Sequence, residues 1–487
     1  MFADIKRTVK QTSVYSLGNI SAKLVGFILL PLYTTHLSIE EYGILAILQA
    51  IAQILIGVFG LSLPTAMMRW AAPEKDAAKQ QSIVFTTFIT TVGIAVILSA
   101  LLLPLSKQFS LKFFENSGFT SYFIFLFLAV SAGIVNNVPL NLLRLNEQSG
   151  FYIIVTTLKF TLIVLSNIYF VAYLKIGVEG IIISELIGHL FVIIITMPTL
   201  LKNSIFRIDM PALIGMIKYG APLVFSIIFT FVLTLGDRFI IKYFYGDSSV
   251  GVYSLGHRIA SVINMLILQS FQLGFIPIAY KKLNDPNAKR YFSKVLTYYT
   301  LILVFSALVV SLFSKELIRI LATNSEYWIA FVVVPIVSYA FVIKGIQYTF
   351  ALSFHYTKKT GYSAFVFVIG AVINIILNIV LVQKYDFIGA AVSLLISIGI
   401  MMILSYILGQ KVYKIPYEIF KISKIFFIGL LLYLISLFLG GLEFWTLIFI
   451  KIALVSIFPI ILYLLNIFDK VELEGLQKGI KDFKNLF

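Results

Sequence analysis

The chain has 487 residues, 60% of them hydrophobic and only 12% charged, with a mean hydropathy of +0.99. Soluble domains carry about 25% charged residues, so this composition excludes a water-soluble globular protein, and the lack of cysteine excludes disulfides and thiol chemistry. The formal net charge of +16 would suggest nucleic acid in a soluble protein, so the placement of the basic residues decides its meaning.

A membrane helix needs about 20 apolar residues, and runs of that size recur along the chain. The N-terminal MFADIKRTVKQTS is basic, and no small-residue cleavage site follows a short apolar core. The first run therefore reads as an uncleaved signal-anchor. In chain order the runs lie near 14–35, 41–68, 82–106, 119–142, 151–173 and 179–201, then 219–243, 250–276, 295–314, 326–353, 362–383 and 388–409. Two more, near 425–440 and 444–466, bring the expected fold to an all-α polytopic membrane protein of 14 transmembrane helices.

With the N-terminus inside, 25 of the 38 Lys and Arg residues fall in inner segments and 7 in outer loops. That split follows the positive-inside rule, puts both termini in the cytoplasm and accounts for most of the net charge. Nucleic acid is set aside as a partner. The remaining basic residues, Lys23, Lys159, Arg238, Arg258, Lys344 and Lys451, lie inside predicted spans.

The chain also repeats. GIIISELIG from Gly180 matches GAAVSLLIS from Gly389, and Asn167-Ile168 matches Asn378-Ile379. Tyr42-Gly43 parallels Val250-Gly251, and span 2 ends GLSLP (Pro64) where span 8 ends LGFIP (Pro277). These matches share order and nearly one shift, which predicts two parallel six-helix lobes related by a pseudo-two-fold axis along the membrane normal. The expected divisions are an N-lobe at 1–201, a cytoplasmic inter-lobe linker at 202–218, a C-lobe at 219–409, spans 13 and 14 within 410–466, and a basic cytoplasmic tail at 467–487. Repeated lobes without a soluble domain imply a transporter, and no Walker-A pattern points to ATP as its direct energy source.

Ionisable groups inside a membrane usually line pathways. In span 1, Thr12, Ser16, Asn19 and Lys23 form one helical stripe with Lys23 near mid-bilayer, facing a central wet cavity or snorkelling inward. Span 8 repeats the design with Ser254, His257, Ser261 and Asn264 beside Arg258. The Arg258 guanidinium suits phosphate, while an ion pair with Asp237 is the alternative. Asp237 and Arg238 read as a coupling site or as structural pairs to adjacent helices. Lys344 divides between cavity and snorkelling, as does Lys159; Lys451 is expected to snorkel outward. Glu185 and His189, at i and i+4, suit a coupling proton or sodium ion, or a locally satisfied pair. Interhelical hydrogen bonding accounts for Gln49, Gln53, Asn374 and Asn378. The expected substrate-binding set is Lys23, Arg258, Lys344, Asn19, His257 and Asn264. No catalytic residue, metal site or cofactor beyond a coupling H+ or Na+ is expected.

The run YSLGNISAKLVGFILLPLYTTHLSIEEYGILAIL, with its PLYT–LS–EEYG core, resembles the opening of bacterial polysaccharide and O-antigen flippases. Those belong to the multidrug/oligosaccharidyl-lipid/polysaccharide exporter superfamily. DRFIIKYFYGDSSVGVYSLGHRI, from Asp237, resembles the start of their second half. The resemblance implies a cytoplasmic-membrane protein of bacteria or archaea that moves polyprenyl-diphosphate-linked oligosaccharide outward by alternating access. It further implies a cationic central cavity, for which Lys23 and Arg258 fit best, and a polysaccharide polymerase or other assembly proteins as partners. The Glu185–His189 pair is not part of that family pattern. Alternatives in the same superfamily are a lipid II flippase and a drug/cation antiporter. A polytopic glycosyltransferase or polymerase would use an acid in the first outer loop, where Glu40-Glu41 stand. Ser38-x-x-Glu41, however, reads as a helix-capping box.

Overall fold

The computed structural model describes residues 27–283, 285–357, 359, 361–439 and 443–468; Asn19 and Lys23 lie outside them. Among the described residues the regular elements are helical. They begin with α1 (Leu30–His36), α2 (Ile39–Phe59), α3 (Leu63–Ala71), α4 (Ala77–Leu102), α5 (Ser106–Phe114) and α6 (Thr120–Leu145). There follow α7 (Ser149–Asn167), α8 (Gly177–Lys202), α9 (Met210–Ile263), α10 (Gln269–Lys282), α11 (Ala288–Leu312) and α12 (Ser314–Leu321). The last are α13 (Val333–Tyr356), α14 (Gly361–Val412), α15 (Ile419–Leu437) and α16 (Phe444–Leu464).

Eleven stretches of the described residues are long and apolar enough to cross a membrane. Two of them, Met210–Gln272 with 63 residues and Gly361–Val412 with 52, far exceed what a bilayer needs. Each holds one residue with left-handed φ inside it, Gly246 at 79° and Asp386 at 49°. The chain doubles back at both. The Tyr253 hydroxyl bonds the Asp237 carboxylate, 16 residues earlier, a distance of about 24 Å along a straight helix. A methyl group on Gly389 would overlap the Leu381 carbonyl. The turns fall inside the predicted breaks at 243–250 and 383–388. They are tied together by Ser249 Oγ to Asp386 (2.7 Å) and by Tyr245 Oη to the Gln383 carbonyl (2.9 Å).

The predicted capping box starts α2: the Ser38 amide donates to Glu41 Oε2 at 2.8 Å, and the Glu41 amide to Ser38 Oγ at 3.1 Å. Two orphan donors at the helix start are thereby satisfied, so Glu41 is occupied structurally. At the other end, Leu61 and Ser62 adopt left-handed φ, and Pro64 opens α3, in agreement with the GLSLP break.

The chain divides into two compact units. The first comprises the described residues up to Ile259, Ile318–Ala330 and Ala364–Ser397. Met67, Val138, Leu142, Leu200 and Met216 form part of its core. Its 202–218 segment is tied to α4, with Ser82 Oγ donating to the Arg207 carbonyl and the Asp209 amide to Thr86 Oγ1, both at 2.9 Å. The second unit comprises Ala260–Leu317, Phe331–Ser363 and the described residues from Ile398 onward. Phe275, Phe292, Leu352, Tyr356 and Ile415 build one of its cores, and α15 and α16 pack on α11. Outward-facing side chains such as Ile194, Phe449 and Phe427 are strongly exposed, as a lipid-facing surface allows and a water-facing one does not.

Lys451 corrects one expectation. It does not snorkel: it is 5% exposed and its Nζ lies 2.6 and 2.8 Å from the two carboxylate oxygens of Glu316. A carboxylate in reach removes the cost that snorkelling would relieve. Removing one partner of a buried pair strands the other charge and costs about 3–5 kcal/mol, whereas replacing both is often near neutral. Lys451→Met should therefore lower the denaturation midpoint sharply in detergent, and Lys451→Met/Glu316→Met should recover most of the loss.

Glu418, in the loop before α15, gathers Lys294 (3.0 Å), Lys421 (3.3 Å) and Thr297 (2.8 Å). Partial burial raises its pKa, but the bonds from Lys294 and Thr297 outweigh that and leave it below the usual 4.5. A depressed carboxylate stabilises the fold above its unfolded pKa and loses that contribution as pH falls through the folded value. Glu418→Gln should melt earlier than wild type at pH 7, and the gap should close as pH drops below 4.5.

Candidate functional site

Two repeat-related glycines set the geometry of the first unit. A methyl group on Gly43 of α2 would overlap the Asp247 carbonyl, and one on Gly251 of α9 would overlap the Ile39 carbonyl. Only glycine permits backbones this close. The second arm of α9 is thus laid directly along α2. Seven residues beyond Gly251, two turns on the same face, Arg258 Nη1 donates to Tyr42 Oη at 3.3 Å. The Tyr42 ring meets Tyr327 edge-on at 5.8 Å, and the Tyr327 hydroxyl bonds the Ser38 carbonyl at 2.8 Å, so the acceptor for Arg258 is itself held.

Four helices of the same unit supply a second polar group. Gln49 Nε2 of α2 donates to Glu185 Oε1 of α8 at 3.3 Å. Lys159 Nζ of α7 lies 3.2 Å from His189 Nδ1 of α8, and Asn136 Nδ2 of α6 faces the same nitrogen. An ammonium only donates, so the Lys159 contact is a hydrogen bond where Nδ1 carries no proton. Glu185 and His189 are therefore partnered with other helices rather than with each other. Lys159 joins this cluster, and Glu185 lies in the field of both Lys159 and Arg258. Glu185, His189, Lys159 and Arg258 are all partly accessible.

Asp237 and Arg238 behave differently. Asp237 is fully buried and accepts from the Tyr253 hydroxyl and, at 3.4 Å, from Asn378 Nδ2. Arg238 Nη1 caps the Thr234 carbonyl at 3.0 Å, with its guanidinium 5.7 Å from the Tyr253 ring centre. This knot fastens the two arms of α9 to each other and to α14. The His257 ring sits 5.8 Å from that of Tyr253 and is half-buried.

Lys344 and Asn264 belong to the second unit. Lys344 is half-buried with Nζ 5.8 Å from the Phe341 ring centre. Asn264 opens the π-helical stretch Asn264–Leu268, an irregularity frequent at functional sites. Sequence reasoning missed Tyr42, Asn136 and Tyr253. Tyr42 and Gln49 share one stripe of α2 at i and i+7, a spacing that was there to be read. Asn136 and Tyr253 owe their roles to partners on distant segments, and no local pattern marks them.

Comparison with known proteins places this geometry. The profile of the polysaccharide biosynthesis protein family matches residues 8–281, and the MatE profile matches residues 222–380. The Lsg locus putative protein 1 of Haemophilus influenzae is 24% identical over 293 residues, covering 57% of this chain and 67% of that protein. The lipid II flippase MurJ, in an inward closed conformation, superposes with a TM-score of 0.76 at 17% identity, over 92% of this chain and 98% of MurJ. An inward-facing multidrug resistance MATE family transporter of the MOP superfamily gives 0.66 at 14% identity, over 83% and 96%. The fold of this multi-pass membrane protein is thus the one those transporters share, and with more than half of its length matched by the first profile the chain belongs to the polysaccharide biosynthesis protein family.

Proposed function

We propose that the protein is a flippase that carries polyprenyl-diphosphate-linked oligosaccharide from the inner to the outer leaflet of the cytoplasmic membrane by alternating access. Both termini are cytoplasmic in this reading, and lobes 1–201 and 219–409 are the moving bodies. The observation that carries it is Arg258, a permanent cation held inside the apolar chain by Tyr42. A diphosphate cannot cross hydrocarbon unassisted, because burying unpaired charge costs far more than thermal energy. A guanidinium offers a planar fork that matches phosphate oxygens and does not lose its charge. Lys23 supplies further positive charge in this reading, with Asn19 and His257 as hydrogen-bonding partners for phosphate and sugar; within the second unit, Lys344 and Asn264 are the proposed substrate-binding cation and hydrogen-bonding partner. The Lys159–Glu185–His189 cluster is where a proton or sodium ion would couple transport to a gradient, and Asp237 with Arg238 holds the arms of α9. Polymerases and other assembly proteins would take the lipid-linked product.

Leaflet-specific detection of lipid-linked oligosaccharide in a deletion strain tests this reading. Accumulation confined to the inner leaflet should be rescued by wild type and not by Arg258→Ala or Lys23→Ala. Normal distribution in the deletion strain would overturn it. Lipid II shares the polyprenyl diphosphate, so complementation of a strain depleted of its lipid II flippase separates the two substrates.

A further inference from the structure

One helix holds both a cation and an anion. Tyr42, which accepts from Arg258, and Gln49, which donates to Glu185, are two turns apart on one face of α2, about 10 Å along the axis. Lys159, on α7, acts on the same carboxylate. The hydrogen-bond donor to Glu185 is a neutral amide at 3.3 Å, while a carboxylate has acceptor sites for about four donors. Glu185 therefore offsets part of the charge of two cations through space, with the Gln49 amide as its hydrogen-bond donor.

We propose that Glu185 is an internal stand-in for the substrate's phosphates: in the unloaded protein its charge offsets Lys159 and Arg258, and the diphosphate competes with it for them. The inference rests on the flippase reading above. Its physical purpose is release. A carrier must bind its cargo firmly enough to load and loosely enough to let go. Two uncompensated cations in a low-dielectric interior would hold a diphosphate too tightly to discharge it. A fixed carboxylate within the same field repels the phosphates while they are bound and halves the net positive charge that they leave behind.

Equilibrium binding of farnesyl diphosphate to the full-length protein in nanodiscs tests this, with uncharged farnesol as the control. Glu185→Gln keeps the size of the side chain and its bond to Gln49. It should bind the diphosphate on the order of tenfold more tightly, leave farnesol binding unchanged and slow multiple-turnover flipping. A merely structural Glu185 would give weaker binding together with a lowered melting midpoint. Unchanged or weaker diphosphate binding by Glu185→Gln, with Arg258→Ala still weakened, overturns the stand-in and leaves the cationic site intact. Equal tightening toward farnesol also overturns it, since the effect would not be electrostatic. Should Arg258→Ala bind the diphosphate as wild type does, the Arg258 assignment falls, and the stand-in falls with it.

Discussion

Arg258→Ala is expected to reach the membrane in normal amounts and to bind polyprenyl diphosphate roughly 10- to 100-fold more weakly, with flipping lost in proportion. Hydrogen bonds to charged groups contribute about 1.5–3 kcal/mol each, and each 1.4 kcal/mol is tenfold in affinity. The melting midpoint of the variant, measured beside the binding, shows what the guanidinium contributes to the fold through contacts such as its bond to Tyr42 at 3.3 Å. Arg258→Lys should recover part of the binding, since the charge remains but the fork does not. The lysine variant thus separates what the charge contributes from what the geometry contributes. Binding isotherms in nanodiscs check both variants, and wild-type affinity in Arg258→Ala would remove the residue from the site.

Gly43→Ala should be the most disruptive single methyl group that can be added to α2. The overlapping atom would be a backbone carbonyl, Asp247 O, and it has no rotamer to escape into. Overpacking of this kind costs about 1–3 kcal/mol. Gly251→Ala should cost a similar amount against the Ile39 carbonyl. The double variant should cost less than the sum, because one outward shift of α9 relieves both overlaps. Gly93→Ala is the control: nothing lies within 4 Å of the added carbon, and alanine is favoured over glycine in a helix by up to about 1 kcal/mol. Thermal denaturation in one detergent ranks the four proteins. A Gly43→Ala variant as stable as Gly93→Ala would mean that α2 and α9 do not touch there.

The features that were legible in the sequence are those that depend on near neighbours. The breaks at Gly246 and Asp386, the Ser38–Glu41 box and the GLSLP turn are local arrangements, and each sits where the pattern put it. The repeat offered one longer-range clue, since Gly43 and Gly251 were matched as equivalent positions and prove to flank the same backbone approach. Partnerships were not legible. The cost of one buried charge predicts that Lys451 snorkels, whereas its position is set by Glu316, 135 residues away. At i and i+4, Glu185 and His189 suit a coupling ion or a locally satisfied pair, and the residues that reach their polar atoms, Gln49, Lys159 and Asn136, come from other helices that no local pattern names. A single sequence states what each side chain costs alone, and helix packing decides which of those costs cancel.

The Lys451–Glu316 pair also bears on how the protein is made. Glu316 leaves the ribosome well before Lys451, so the acid is already at its depth when the last described helix enters the bilayer. A lone lysine in such a helix costs about 2.5–3.5 kcal/mol during insertion, and Glu316 within 2.6 Å offsets it only once α16 has docked beside α12. The pair thereby ties the cost of inserting α16 to its docking on α12: until the two helices meet, the lysine has no carboxylate partner in lipid.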